Sequence, residues 1–85
     1  MVISAQIRAA RSLLRWTTND LARASGVSVA TIKRLEAQDG VPGGQQRTLL
    51  DIKRAFETAG IEFIGTPDER PGVRIARAQN IKDQS

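Results

Sequence analysis

Cysteine and histidine, which carry much of enzyme and metal chemistry, are both missing from these 85 residues. Without cysteine there is no disulfide, no thiolate nucleophile and no zinc-thiolate site. Without histidine the commonest general base and metal ligand are gone as well. Tyrosine is also absent, and one tryptophan and two phenylalanines are the only aromatic residues. That is too few for the interleaved stacking platforms of single-strand nucleic-acid binders. No run approaches the roughly 18 apolar residues of a membrane span. The start, Met1-Val2-Ile3-Ser4, lacks the layout of a signal peptide, so a cytoplasmic location is expected. A chain this short makes a single domain, with no spare core in which to sculpt a deep catalytic cavity. No catalytic residue, metal or cofactor is expected. Glu57 and Glu62, the carboxylates that come nearest to an acid-base role, fall on solvated faces with no nucleophile pattern beside them.

What the sequence does have is positive charge. Thirteen Lys and Arg stand against nine Asp and Glu, a formal +4. Such a balance suits a polyanionic partner, because cations release condensed counterions when they meet phosphates. Charge alone does not decide the matter, since many soluble proteins are merely basic.

Apolar residues recur at helical spacing from Ser4 to Gly60. Ile7, Ala10 and Leu14 form one stripe of a first helix, with Ser4 as its expected N-cap. Thr17-Thr18-Asn19-Asp20 fits a capping box opening a second helix over about 18–25, which Gly26 should stop. Ser28 is the expected cap of a third helix reaching about Gln38. Asp39 to Gly44 reads as a loop. Thr48-Leu49-Leu50-Asp51 repeats the capping pattern and is expected to open a fourth helix that Gly60 ends. The period then changes. Ile61-Glu62-Phe63-Ile64 and Val73-Arg74-Ile75 read as two short strands, with Gly65 to Gly72 as the turn. The fold class is therefore mainly α, four helices with a short C-terminal β-hairpin. Residues 1–60 carry the helices, 61–76 form the hairpin, and 77–85 form a polar tail expected to fray.

The strongest signal lies between Thr18 and Ala37. Two helices joined by a tight glycine turn can cross so that the second enters a major groove. Ala22 is small enough for close packing, and Gly26 permits a positive φ. Leu21, Val27, Ile32 and Leu35 supply the apolar contacts that make the pair rigid. On the third helix, Val29, Ala30, Lys33, Arg34 and Ala37 fall within about 140° of one another, away from Ile32 and Leu35. Short side chains there let a helix descend into a groove, and long donors reach guanine edges or phosphates. An ordinary solvated amphipathic helix would carry the same face, so the glycine turn and the preceding helix give it its meaning.

Arg8 and Arg11, Trp16-Thr17-Thr18-Asn19-Asp20-Leu21-Ala22, Ala24-Ser25-Gly26-Val27-Ser28 and Thr31-Ile32-Lys33-Arg34-Leu35-Glu36 together resemble the lambda-repressor/Cro-like, or XRE-type, helix-turn-helix regulators of bacteria and phages. The resemblance covers residues 4–60, about two-thirds of the chain. It extends to a small single-domain subset in which "AGIEFI" and a "GVRI"-like strand follow the fourth helix.

The resemblance implies a lambda-repressor-like domain that binds specific double-stranded DNA as a small transcriptional regulator, expected to be a repressor acting as a homodimer on a near-palindromic operator. It assigns base contacts to Val29, Ala30 and Arg34, with Arg34 as the hydrogen-bonding reader of a guanine. Backbone contacts fall to Thr18, Ser28, Lys33 and Arg47. Thr18 stands where the family usually has a longer glutamine, and Ser25 where it usually has an apolar residue or alanine. Arg11 and Glu36 are expected to pair structurally. The hairpin is a candidate dimerisation element, packed either on its own helices or on a partner's copy. With no separate small-molecule domain expected in so short a chain, any sensing would act through dimerisation or a partner. The alternative reading is an antitoxin-type module that docks a toxin and regulates its own promoter, with residues 77–85 as its only candidate docking segment. A helix-turn-helix with a purely structural role is a third reading, disfavoured by Lys33 and Arg34.

Overall fold

The computed structural model describes residues 2–38 and 46–76. The expected loop at 39–44 and the tail at 77–85 lie outside the described residues. Four helices come first, α1 (Ser4–Leu14), α2 (Thr18–Ser25), α3 (Val29–Ala37) and α4 (Gln46–Thr58). An antiparallel hairpin, β1 (Ile61–Thr66) and β2 (Glu69–Ile75), follows. Among the described residues no helix is long and apolar enough to cross a membrane.

Local chemistry sets both ends of α2 and the start of α3. Thr17 caps α2 as expected: its hydroxyl accepts from the Asp20 amide, and the Asp20 carboxylate accepts from the Thr17 amide. Gly26 stops α2 at φ 78°, with open space where a Cβ would stand, so the backbone conformation alone calls for glycine there. The hydroxyl of Ser25 braces that turn. It donates to the Leu21 carbonyl at 2.7 Å and accepts from the Val27 amide at 3.2 Å. Ser28 caps α3 through the Thr31 amide.

Three boundaries differ from the sequence reading. Ser4 is not the cap of α1; Ile3 is, and its amide is met by Oε1 of Gln6 at 2.9 Å. The Ser4 hydroxyl is fully buried and donates instead to the Leu35 carbonyl, 2.7 Å away, so a tertiary partner has taken the group that local chemistry offers for capping. Thr48 lies inside α4, which already runs from Gln46. The hairpin is longer than expected, because pairing reaches Thr66 and Glu69 and leaves only Pro67 and Asp68 as the turn. An irregularity in the register between Ile64 and Thr66 absorbs the extra residue. Gly65 sits there at φ 74°, and a Cβ on it would come within 2.2 Å of the Arg70 carbonyl oxygen.

The core joins all six elements. Ile7, Ala10 and Leu14 from α1 meet Leu21, Ile32, Leu35, Ile52 and Phe56, each 1% exposed or less. The chain's three aromatic rings form one cluster around Phe56. Trp16 lies on Phe56 at 5.7 Å between centroids, and Phe56 meets Phe63 edge-on at 6.0 Å. Such contacts add to what burial alone gives a small core. Register places Ile61 opposite Ile75 and Phe63 opposite Val73, so these four share the sheet face turned to the helices.

The hairpin is held by one polar side chain. Gln6 is 4% exposed, and its Nε2 donates to the carbonyls of Gly72 (2.8 Å) and Ile64 (3.2 Å), one on each strand. With its Oε1 on the Ile3 amide, the whole amide group is satisfied. The apolar face of the hairpin is therefore largely spent on its own helices, with Ile75 at its end left exposed. On the opposite face Arg74 forks onto Glu62 at 2.8 and 3.1 Å. These hydrogen bonds, more than the fork's charge, hold the Glu62 carboxyl below its ordinary pKa and raise that of Arg74.

Replacing Gln6 by leucine leaves two strand carbonyls and the Ile3 amide without their partner. We expect a loss of about 2–3 kcal/mol in urea unfolding, with hydrogen exchange accelerated at the β1 and β2 amides before the helices; unchanged hairpin protection would refute the clamp. The pair on the outer face predicts a pH effect of defined sign. A depressed carboxyl pKa stabilises the fold above the unfolded value of about 4.3, and that gain is lost as pH falls through the folded value. The melting temperature of Glu62→Gln should therefore decline less steeply on acidification than that of the parent. Parallel declines would show that the pair contributes nothing.

Candidate nucleic-acid interface

The carboxyl end of α3 is gripped by one face of α1. Ser4, Arg8 and Arg11 follow each other at i, i+4 and i+7 and so line one side of that helix. Ser4 donates to the Leu35 carbonyl, Arg8 to the Glu36 carbonyl, and Arg11 to the Glu36 carboxylate through Nε (2.7 Å) and Nη2 (2.8 Å). Carbonyls at a helix end have no partner within the helix, and cations there oppose the negative pole of its dipole. The third donor of Arg11, Nη1, reaches the Trp16 carbonyl at 3.0 Å. One guanidinium thus ties α1, the α1–α2 junction and α3 together. The Arg11 side chain is 24% exposed and that of Glu36 9%, and the hydrogen bonds to Glu36 hold Arg11 protonated still more firmly than usual.

Held at that end, and packed against the rest through Ile32 and Leu35, α3 turns its remaining face outward. Ala30, Lys33, Arg34 and Ala37 are exposed, and Val29 is half-buried at the first turn. Four of the nine expected site residues (Val29, Ala30, Lys33 and Arg34) therefore share one helix face, with Ser28 at its amino end. The Ser28 hydroxyl is engaged within its own cap, accepting from the Thr31 amide and donating to the Thr31 hydroxyl at 2.9 Å. Thr18 is half-buried at the first position of α2. Arg47 is on a separate element, in the first turn of α4, with its side chain 83% exposed and a loose contact to Asp51 at 3.7 Å. Arg11 and Glu36 face each other, away from the exposed side of α3.

Charge is distributed unevenly over this surface. The helix carboxylates among the described residues are Asp20, Glu36, Asp51 and Glu57, and each has a cation within 4 Å: Arg23, Arg11, Arg47 and Lys53 in turn. Lys33 and Arg34 have no such partner among the described residues. Exposed pairs add little stability, but they cancel negative charge that would otherwise repel a polyanion. The outward face of α3 therefore carries two cations, Lys33 and Arg34, that no carboxylate among the described residues pairs.

Sequence reasoning missed Gln6 altogether, and it missed the partners of two residues that it named, Ser4 and Arg8. Ser4 and Gln6 sit three and four places before Ile7 and Ala10, on the apolar stripe itself. A polar residue at a stripe position is the available signal that it has a buried partner. Arg8 was visible as part of a family pattern, but its partner, a main-chain carbonyl on α3, leaves no trace in sequence. Among the described residues no group of three acidic side chains gathers closely enough to hold a metal ion.

No protein-family model matches the chain, and no curated protein matches it either.

Removing the carboxylate that Arg11 grips should loosen α3. Glu36→Ala strands a partly buried guanidinium and is expected to cost about 2–3 kcal/mol, below the 3–5 of a fully buried pair. Glu36→Gln keeps one acceptor and should cost about 1 kcal/mol. Urea midpoints of the two variants would test this, and losses under about 0.5 kcal/mol for both would show that the grip is dispensable.

Proposed function

We propose that this chain binds duplex DNA by laying the exposed face of α3 in the major groove, and that it works as a small transcriptional regulator of the lambda-repressor/Cro-like, XRE type rather than as an enzyme. The observation that carries this reading is the positive charge of Lys33 and Arg34, unpaired by any carboxylate among the described residues, beside the short side chains of Ala30 and Ala37, on a helix anchored by its other face and its far end. Short residues allow approach, and long cations supply both counterion release and base-edge donors. Arg34 is assigned to a guanine, Val29 and Ala30 to apolar contact with bases, and Lys33 to phosphate. Thr18, Ser28 and Arg47 flank as further backbone contacts, the first two at helix amino ends, where the dipole favours phosphate.

One helix reads only a few base pairs, so a two-fold homodimer on a near-palindromic operator, a repressor of bacterial or phage type acting in the cytoplasm, completes the proposal. No cofactor is needed. The antitoxin alternative drew on residues 77–85, outside the described residues, and no observation on the fold favours it.

Selection from random duplex DNA should return a palindromic site whose affinity falls steeply with salt. Arg34→Ala is expected to cost about 1–3 kcal/mol and relax one base position, whereas Lys33→Ala should weaken all sequences alike and reduce the salt slope by about 1. Failure to enrich any sequence, with binding indifferent to both variants, would remove α3 as the reading element.

A further inference from the structure

A hollow of about 420 Å3 opens between α2 and α4 below the α1–α2 junction. Ala24, Ala55 and Ala59 supply small apolar side chains to its lining, and the indole of Trp16 adds a flat one. It lies within the size range of small-molecule sites, near the lower end. It is not part of the outward face of α3, and the proposed DNA contacts do not use it.

The hollow's charges are of both signs and close together. Asp51 and Arg54 are three residues apart on α4, hence on one side of the helix, and both line the opening. Arg54 has no carboxylate partner among the described residues. Among the described residues Asp51 has one ion pair, a loose contact with Arg47 at 3.7 Å, to a side chain 83% exposed. Surface pairs of that kind are worth little and exchange readily. A ligand with one charge would satisfy one of these groups and be repelled by the other. A ligand with both would satisfy the two while laying its apolar body on the alanines and the indole.

We propose that the α2–α4 hollow binds a small zwitterion, an amino acid or ω-amino acid, with its carboxylate on Arg54, its ammonium on Asp51 and its hydrocarbon part against Trp16. The proposal does not rest on DNA binding, although its Asp51 also meets Arg47, and it is tested on the protein alone. Trp16 is the only tryptophan in the chain and lines this hollow, so its emission gives a single-site signal there. The paired variants at Arg54 and Asp51 separate binding from a change in the core beneath it. The probes are ω-amino acids of two to six carbons, with hexanoate and hexylammonium as single-charge controls, at constant ionic strength and neutral pH.

At least one zwitterion should give a saturable change in Trp16 emission, with a dissociation constant on the order of 1 mM or tighter, as expected for a fragment-sized ligand. The single-charge controls should bind about tenfold more weakly or not at all. Arg54→Gln and Asp51→Asn alter side chains at the rim and leave the core intact, which their unchanged melting curves would verify. Each should weaken the zwitterion about tenfold, one charged contact's worth. The proposal is overturned if no probe saturates, if hexanoate or hexylammonium binds as well as the zwitterion, or if both variants bind it like the parent. Because no DNA enters the measurement, a negative result here leaves the reading of α3 standing, and failure of that reading leaves this site standing.

Discussion

The carboxyl end of α3 has to be tied down before its outer face can be presented to anything. A nine-residue helix leaves its last carbonyls without internal partners, and burying them unmet would cost more than packing there returns. Ser4, Arg8 and Arg11, spaced along one side of α1, meet that requirement with a hydroxyl and two guanidinium groups. Arg11 is the member without a substitute. Its planar fork engages both oxygens of Glu36 and still has a donor left for the Trp16 carbonyl, which the point charge of a lysine would not match. The orientation of α3 follows from this grip and from Ile32 and Leu35 beneath it. Lys33 and Arg34 point outward as the geometric remainder.

A similar economy runs through the rest of a chain with a small core. Phe56 is fully buried and touches both other rings, so the loop before α2 and the first strand rest on the same side chain. Gln6 performs for the hairpin what Arg11 performs for α3, satisfying main-chain groups from two segments with one planar side chain. A two-stranded hairpin alone is marginal in water. Here it is stabilised by lying on α1 and α4, which cover Ile61 and much of Phe63 and Val73 but leave Ile75 at the end of that face exposed. A dimer of the kind proposed would have to use the strand edges, the outer face bearing Glu62 and Arg74, or exposed apolar residues such as Leu50 and Ile75.

Electrostatics separates the proposed interface from the remaining surface. The acidic residues of the helices are each matched to a neighbouring cation, most of them one turn away on the same helix. Their fields cancel within a few ångströms, where screening is already strong. Among the described residues, unbalanced positive charge is left where no carboxylate lies within reach. Lys33 and Arg34 are two such places, and Arg54, at the edge of the α2–α4 hollow, is a third.

Local chemistry alone determined much of this molecule. The 3.6-residue period located four helices, the Thr17 and Ser28 caps located the starts of α2 and α3, and Gly26 located the turn between them, because each depends on residues within one turn of chain. The change of period at Ile61 located the hairpin for the same reason. The outward set on α3 was also legible, since a helix with Ile32 and Leu35 on one side can only turn Lys33 and Arg34 to the other. Tertiary structure decided what local rules had to leave open: that the Ser4 hydroxyl serves α3 instead of capping α1, that Gln6 fastens both strands, and that the hairpin extends through a bulge at Gly65. It also brought Asp51 and Arg54 of α4 beside Trp16 and Ala24. Those outcomes join groups far apart in sequence, where a hydrogen bond or a shared hollow exists only once separate elements have packed.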